Sequence, residues 1–475
     1  MVKKLKPLEI YKLLPKTNCR ECGENSCMAF AAKLVEREKD ISYCKPLFKD
    51  PKYRKNLEKL LEILRPPVKD VVIGVKPHEI KIGGKDVVYR HERTWRNPTA
   101  LAIDVSDTMP LEEIESRVEL VNKFYYERIG RKLTLDMVAI RNAGDNEKFI
   151  KVVKKVSELT DKPLMLCTLN AKLMEKALKV VSDRRPLIYA ATIDNWRDMT
   201  SLAIKYKCPL VVSAPGDLNK LKSLAGTLRR KLRFEDIVLD PGTFPADVGI
   251  AETLSTFTLI RYSAIYYDDL DLGFPLLAIP ASVWLSPEPN INLTKAKEIV
   301  YASMLISRYA DIMVLHTIDS WALIALLTLR DCLYTDPRIP PSVKPGLYKV
   351  GEPDDSAPLI VTSNYALTFS LVKGDLEKGK INAWLLVIDT EGTSVESAVA
   401  GRKFTADKIA EAIKEYELDK KVRHKSVIIP GKAARIAGEL EDLLKDWRVF
   451  IGPKESSDLP KYIKNVWLKE VYKQL

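Results

Sequence analysis

Histidine is nearly missing from this chain, with four in 475 residues, and cysteine is sparse at seven. No apolar run is long enough to cross a bilayer. WALIALLTL at 321–329 is the longest, and a spanning helix needs about 20 residues. The basic N-terminal stretch MVKKLKPLEIYKLLPK has no continuous apolar core of the kind a secretory signal carries. These absences predict a soluble, cytoplasmic protein. No internal repeat and no low-complexity tract is present, which leaves ordinary globular domains. The odd cysteine count argues against a disulfide framework, and so does the placing of Cys167, Cys208 and Cys332 beside apolar runs such as LMLCTL and CPLVV. Isolated thiols there act as small core hydrophobes.

The remaining cysteines are gathered at one end. Cys19, Cys22, Cys27 and Cys44 fall within TNCRECGENSCMAFAAKLVEREKDISYC, with the spacing C-x2-C-x4-C-x16-C. In a reducing compartment such a group suggests a metal. A structural zinc site usually pairs two C-x2-C turns around one tetrahedral ion, and the second turn is missing here. Three cysteines in one loop and a fourth beyond a helix suit an iron–sulfur cubane better, because each sulfur binds a different iron. Zinc and purely structural thiols are the alternatives. The formal charge is +12, and residues 1–65 hold 16 Lys and Arg against nine Asp and Glu. That excess fits nucleic-acid binding, a lysine-rich solvated surface, or cations that offset thiolate charge and raise a cluster's potential.

The length and the 46% apolar content allow about two to four domains. Residues 1–66 read as a small helical unit built from LEIYKLL, CMAFAAKLVERE and KNLEKLLEILR, closed by Pro66 and Pro67. Residues 67–333 begin with VVIGVK and KDVVYRHE, expected to form a hairpin joined by IGG. Eight apolar strands follow: ALAID (100–104), LDMVAI (135–140), LMLCTL (164–169), LIYAAT (187–192), LVVSA (210–214), IVLD (237–240), LLAIPA (276–281) and IMVLHT (312–317). Amphipathic helices alternate with them, LEEIESRVELVNKFYYERI being the first. Apolar strands buried on both faces and alternating with helices predict a (β/α)8 TIM barrel. Residues 334–358 carry six prolines and read as a linker. Residues 359–475 place strands LIVTS, AWLLVID, SVIIP and RVFIG among helices, as a Rossmann-like domain does. The expected class is therefore multidomain α/β.

The segments LEIYKLLPKTNCRECGENSCMAFAAKL and YCKPL resemble the start of the large, or gamma, subunits of corrinoid iron–sulfur proteins, the methyl carriers of acetyl-CoA decarbonylase/synthase complexes. RRPLIYAATIDNW, CPLVVSAP, DIVLDPGTFP, RYADIMVLH and VIDTEGTSVESAVAGRKFTADKIAEA extend the likeness, in order, along the whole chain. The resemblance implies a [4Fe–4S] cluster on Cys19, Cys22, Cys27 and Cys44, a TIM barrel, and a C-terminal corrinoid domain. It implies a Co-methyltransferase activity in which Co(I) of a base-off, cobalamin-type corrinoid is the nucleophile, so no side chain is catalytic. The methyl group would come from a methyl-tetrahydropterin (tetrahydrosarcinapterin or tetrahydrofolate) and pass to the nickel site of acetyl-CoA synthase in reversible acetyl-CoA synthesis and cleavage. The cluster would reactivate Co(II). Implied partners are a small delta subunit in a heterodimer, the acetyl-CoA synthase and carbon monoxide dehydrogenase subunits, and the pterin or its methyltransferase, with neither nucleic acid nor membrane.

By the same resemblance Thr362, Thr368, Gly392, Thr393, Ser394 and Val395 approach the corrinoid; strand topology adds Gly431, Gly452 and Pro453. Ordinary βα turns also need Gly and Ser. The only histidine beyond the proline-rich segment is His424, in VRHKS, and it belongs to no D-x-H-x-x-G motif. No strong lower ligand to cobalt is therefore expected from this chain. Asp104, Asp194, Asn195 and Asp240 end barrel strands or follow them, where they could bind a pterin but suit helix caps better. His91 and His316 read as structural. Two rivals are a stand-alone pterin-dependent barrel methyltransferase and a nucleic-acid-binding protein with a zinc knuckle.

Overall fold

The computed structural model describes residues 5–245, 248–336 and 340–472. The chain forms two compact units, Met1–Tyr125 with Thr134–Thr335, and Tyr126–Leu133 with Asp336–Leu475.

In the first unit, helices Pro7–Leu13, Cys27–Val35 and Arg54–Ile63 pack around Ile10, Leu14, Phe30, Ala31, Leu34, Leu47 and Leu60. Eight parallel strands follow: β1 (Ala100–Ser106), β2 (Met137–Arg141), β3 (Leu164–Cys167), β4 (Leu187–Ala191), β5 (Leu210–Ser213), β6 (Ile237–Asp240), β7 (Leu277–Ala278) and β8 (Ile312–Leu315). They pair in the order β6-β5-β4-β3-β2-β1-β8-β7, and the parallel bridge Leu239–Leu276 joins the two ends. The result is the expected barrel. Side chains alternate along each strand, so Ala100, Ala102, Met137, Ala139, Met165, Leu187, Val211, Val238, Ile312 and Val314 fill its interior. Strand β7 is short because Pro280 opens a 3-10 turn, Pro280–Leu285, right after it.

Two local expectations change. Strand Asp70–Ile73 pairs antiparallel with Ile80–Gly83, not with residues 85–92. The IGG glycines end that second strand: Gly83 and Gly84 have φ of +81° and +69°, and a Cβ on Gly83 would stand 2.3 Å from the Lys69 carbonyl oxygen. Val71, Ile73 and Ile82 of this hairpin join the barrel-interior cluster. The helix expected through YYERI stops at Lys123. Tyr125–Arg128 and Arg131–Thr134 form a two-stranded sheet instead. Its turn residues Ile129 and Gly130 both have positive φ, +54° and +67°, as a tight hairpin turn of the I′ kind requires.

The second unit holds a five-stranded sheet in the order β9-β11-β10-β12-β13: β9 is Gly346–Val350, β10 Leu359–Ser363, β11 Ala383–Ile388, β12 Ser426–Ile429 and β13 Arg448–Ile451. Four strands are parallel, and β9 adds an antiparallel edge. That edge strand lies inside the segment expected to be a linker. Its partners Leu385–Val387 leave a free edge that a short apolar-polar run such as GLYKV can satisfy. Ile129 packs into this unit's core beside Ile360, Phe369 and Trp467.

Candidate functional site

The cysteine segment is shaped by local backbone chemistry. Lys16, Asn18, Arg20 and Gly23 all have positive φ, which winds residues 16–23 into a tight loop. The Asn18 side-chain oxygen accepts from the Cys27 amide at 2.8 Å, and Ser26 caps helix Cys27–Val35 by accepting from the Ala29 amide at 3.1 Å. Cys27 is therefore the first residue of this helix, held there by the two caps. Lys39 donates to the Cys22 carbonyl at 2.8 Å and pairs with Glu24 at 2.7 Å, tying the loop to the far end of that helix. Cys44 immediately precedes helix Lys45–Lys49, whose second residue is Pro46. Cys27 and Cys44 are buried, Cys22 is half-buried and Cys19 is exposed. Burial pushes the Cys44 thiol up to about 11, and the Cys27, Cys19 and Cys22 thiols add to the shift. The four sulfurs are thus electrostatic neighbours. Among the described residues no three His, Cys, Asp or Glu side chains converge as donors to a single ion; a cubane, with one thiolate per iron, asks for a wider frame.

The second site is a cavity of about 170 Å3 in the C-terminal sheet. In chain order the parallel strands stand 2-1-3-4, so the topological switch lies between β10 and β12, where such sheets bind ligands. These two strands pair only at Leu359–Val427 and Ile360–Ile428, then part, and the cavity opens in the gap. Thr362, Thr368, Ser394, Val395, Gly452 and Pro453 line it. The Thr362 hydroxyl is buried with no hydrogen-bond partner, as is that of Ser363. Gly431 stands behind the rim: its amide donates to the Pro453 carbonyl at 3.0 Å, and a Cβ there would meet the Gly452 oxygen at 2.6 Å. Gly392 and Thr393 do not line the cavity but shape the loop beside it. Gly392 has φ +71°, and Thr393 donates its hydroxyl to the Thr390 carbonyl at 2.7 Å.

Sequence reasoning missed the residue that holds this loop. The Asn364 side-chain oxygen accepts from the amides of Thr390 and Gly392, both at 3.0 Å, and from the Thr390 hydroxyl at 2.8 Å. Its partners lie 26 and 28 positions away, so nothing local announces it. Lys432, Lys454, Glu396 and Glu455 at the cavity were missed as well. Lys432 lies 3.5 Å from Glu455 and 4.0 Å from Glu396.

His424 sits at the opposite end of this sheet, before β12. One ring nitrogen faces the Ala357 carbonyl at 3.0 Å, and the other accepts from the Ser426 amide at 3.1 Å. Its ring packs edge-on against Trp467, and burial lowers its pKa.

Polar side chains occupy the carboxyl ends of the barrel strands. Asp104 accepts from Arg117 at 2.9 Å, Arg141 at 2.8 Å and His316 at 2.8 Å. Burial works to raise its pKa, but the His316 hydrogen bond and the charges of His316, Arg117 and Arg141 hold it below the ordinary value. Asp240 is buried among neutral donors: Tyr189 at 3.0 Å, Ser213 at 2.8 Å and the Gly242 amide at 3.0 Å. Burial raises its pKa despite these bonds. Asn195 spends its side chain on Thr192, Leu169 and Ala190, while Asp194 is exposed. His91 is exposed and stacks on Tyr89.

Residues 14–46 match the family model described as "Putative Fe-S cluster", and residues 70–463 match the model for the CO dehydrogenase/acetyl-CoA synthase delta subunit. Subunit gamma of the acetyl-CoA decarbonylase/synthase complex from Methanothermobacter thermautotrophicus is 43% identical over 457 residues, 96% of this chain and 98% of that protein. The Archaeoglobus fulgidus gamma subunit is 42% identical over 467 residues, again nearly end to end. The chain belongs to this gamma-subunit family. Among solved structures, dihydropteroate synthase from Thermus thermophilus aligns with a TM-score of 0.39 at 17% identity, covering 55% of this chain and all of that one. Cys19, Cys22, Cys27 and Cys44 of this gamma-family chain all fall within the iron–sulfur match, ahead of the barrel. No helix among the described residues is long and apolar enough to cross a membrane.

Proposed function

We propose that this gamma-family chain is the cobamide- and [4Fe–4S]-bearing methyl carrier of a cytoplasmic acetyl-CoA decarbonylase/synthase assembly. It would work beside a smaller delta-type subunit and the acetyl-CoA synthase and carbon monoxide dehydrogenase subunits. The observation that carries the reading is the unpaired, buried Thr362 hydroxyl at the floor of the switch-point cavity. A buried hydroxyl without a partner is unfavourable by about 1–3 kcal/mol, and a ligand nitrogen or oxygen in the cavity would satisfy it. A cavity of about 150 Å3 lined by apolar side chains holds one benzene ring. One of about 170 Å3 therefore suits the aromatic base of a nucleotide tail, with the corrin ring outside, over the strand ends. Beside it, Gly431 and Gly452 lie too close for a side chain on Gly431, whose Cβ would stand 2.6 Å from the Gly452 oxygen, so backbone forms that part of the rim.

When bound, the cobamide would supply the cobalt that accepts a methyl cation from a methyl-tetrahydropterin and hands it to a nickel site, and the cluster would supply the single electron that restores over-oxidised cobalt. This chain's residues would bind and orient: Thr362 and Thr368 inside the cavity, Ser394 and Val395 at the helix start beside it, and Asn364 as brace of the Thr390–Thr393 loop. Both nitrogens of His424 are committed at the far end of the sheet, which supports a cobalt without an imidazole donor from this chain. The rival pterin site in the barrel needs free groups at its mouth, and the polar atoms of Asp240 and Asn195 are already engaged. Oxygen-free purification followed by metal analysis and a visible spectrum tests the proposal. Iron near four per chain, with cobalt retained after cobamide is supplied, is the expected result. Zinc with neither iron nor cobalt would overturn it.

A further inference from the structure

At the amino end of the barrel one buried carboxylate serves two buried cations. Asp311 stands directly before β8, and its side chain takes Lys85 Nζ on one oxygen and the Arg261 guanidinium on the other. The second oxygen also accepts from the Leu276 amide at 2.8 Å, and Arg261 spends another nitrogen on the Phe274 carbonyl at 3.0 Å. All three charged side chains are 0% exposed, so two positive charges are buried against one negative. Among the described residues neither cation has a second acidic partner. The neighbouring acids are already matched: Asp86, next to Lys85 in the chain, pairs with Arg93 at 2.8 Å and Arg37 at 3.3 Å, and Asp136 pairs with Arg330. Two donors of the same group are also unspent, since Arg261 Nε and Trp95 Nε1 are buried without an acceptor. Lys85 Nζ links them: beside its pairing with Asp311 it lies 6.0 Å from the Trp95 ring centre and 5.4 Å from that of Tyr334.

We propose that Lys85, Arg261 and Trp95 bind a small monovalent anion of the halide class at the barrel base. An uncompensated buried charge is strongly destabilising, and one added negative charge brings the group to zero. The two idle N–H groups are the donors such an ion takes, and hydrogen bonds to a charged acceptor are the stronger kind. Complete burial and a single unit of excess charge select a halide over phosphate, which carries nearly two charges at neutral pH. A water molecule could take the same N–H groups but would leave the charge unbalanced, and it is an outcome of the test. Lys85 and Trp95 belong to the segment ahead of the barrel, whereas Arg261 lies on helix Val248–Tyr266 and Asp311 at the foot of β8. The ion would therefore join that segment to the barrel, and its binding would appear as stability of the folded chain. The site shares no residue with the cysteine loop or with the cavity of the C-terminal sheet.

The experiment melts the full chain, free of oxygen, in sodium gluconate, chloride and bromide at one ionic strength, which holds screening constant. Salt effects common to all proteins cancel when each variant is compared with wild type. Lys85→Met leaves Arg261 and Asp311 as a balanced pair. Exchanging gluconate for chloride or bromide should raise the wild-type melting temperature by at least about 3 °C more than that of Lys85→Met. Trp95→Phe keeps a ring and loses the donor, and its halide response should drop to half of the wild-type value or less. Lys222→Met, which removes a half-exposed lysine of the same unit, should respond as wild type does. Crystals grown in bromide and measured at the bromine absorption edge should show one anomalous peak beside Lys85 Nζ and Trp95 Nε1, a reading that needs no variant to fold. Equal halide responses in wild type and Lys85→Met, or electron density there without an anomalous signal, as water alone would give, would overturn the inference.

Discussion

Replacing Thr362 by valine should strengthen the cofactor-free protein and weaken its hold on a cobamide. Thr362 is 1% exposed and its hydroxyl has no partner, so the native side chain carries a desolvation penalty of about 1–3 kcal/mol. Valine has nearly the same shape, and its extra methyl contributes up to about 0.8 kcal/mol of burial. The cofactor-free variant should gain about 1–2 kcal/mol, a rise of roughly 2–8 °C in the calorimetric transition that cobamide shifts. The bound form loses the one hydrogen bond the hydroxyl could make, and a ligand atom is left unpaired. Affinity should fall by about 1–2 kcal/mol, or roughly five- to thirtyfold, in a visible-absorbance titration. The opposite signs are what make the test sharp. A hydroxyl that merely packs would give the gain in stability without the loss of affinity. If the valine variant melts earlier without cofactor, or binds cobamide as tightly as wild type, the assignment of this hydroxyl to a ligand is wrong.

Cys19→Ser and Cys44→Ser should both abolish stoichiometric iron, but only the second should lower the melting temperature of the iron-free protein, by burying a hydroxyl worth about 1–3 kcal/mol among apolar neighbours; iron assay and thermal melts separate the two. Asp104→Asn should destabilise by about 3–5 kcal/mol, because it strands the buried Arg117 guanidinium without its carboxylate. The Asp104 pKa is lowered on folding, so its contribution is complete above the unfolded carboxylate range near pH 4 and disappears as pH falls through the folded value; urea titrations at pH 7 and pH 3 should show a difference from Asp104→Asn that shrinks on acidification. Asp240→Asn should do the reverse. Its folded pKa is raised, so the wild type loses stability as pH climbs from about 4 toward that value, and the amide, free of that loss, should be the more stable form at neutral pH.

The barrel was legible because each strand is a short apolar run bounded by polar helix starts, and IVLD at 237–240 coincides with its strand residue for residue. The local misreadings share one cause, a segment whose structure is set by backbone conformation or by distant partners. FYYERI keeps a helical pattern of apolar residues, yet the positive φ at Ile129 and Gly130 turns it into a hairpin. GLYKV looks like linker because prolines surround it, and it becomes a strand only because β11 offers an unpaired edge. In the cluster segment the four cysteines are close in sequence, so their spacing could be read without knowing the fold. In the C-terminal domain Thr362 and Gly452 come together only through strand order, and Asn364 reaches a loop 26 residues away; neither relation has a local signature.

The scarcity of histidine acquires a physical meaning once the positions of the four are known. His78 and His91 are exposed in the stretch before the barrel. His316 serves Asp104 in the first unit, and His424 has both nitrogens occupied at the end of the sheet away from the cavity. Among the described residues of the second unit, no imidazole is left to approach a ligand over the carboxyl ends of β10 and β12. Axial donors are the main lever by which a protein sets the potential of a bound macrocyclic metal, and a site without one relies on an external electron source of matching potential. On the proposed reading that source is the thiol group at the amino end, where Lys16, Arg20, Lys45 and Lys49 are exposed and stand in no ion pair among the described residues. Cationic surroundings favour the more negative, reduced state of a cluster. Charge reversal on the exposed Lys16, Arg20, Lys45 and Lys49 should therefore lower the potential of the proposed cluster, as redox titration of the iron-loaded chain would read it.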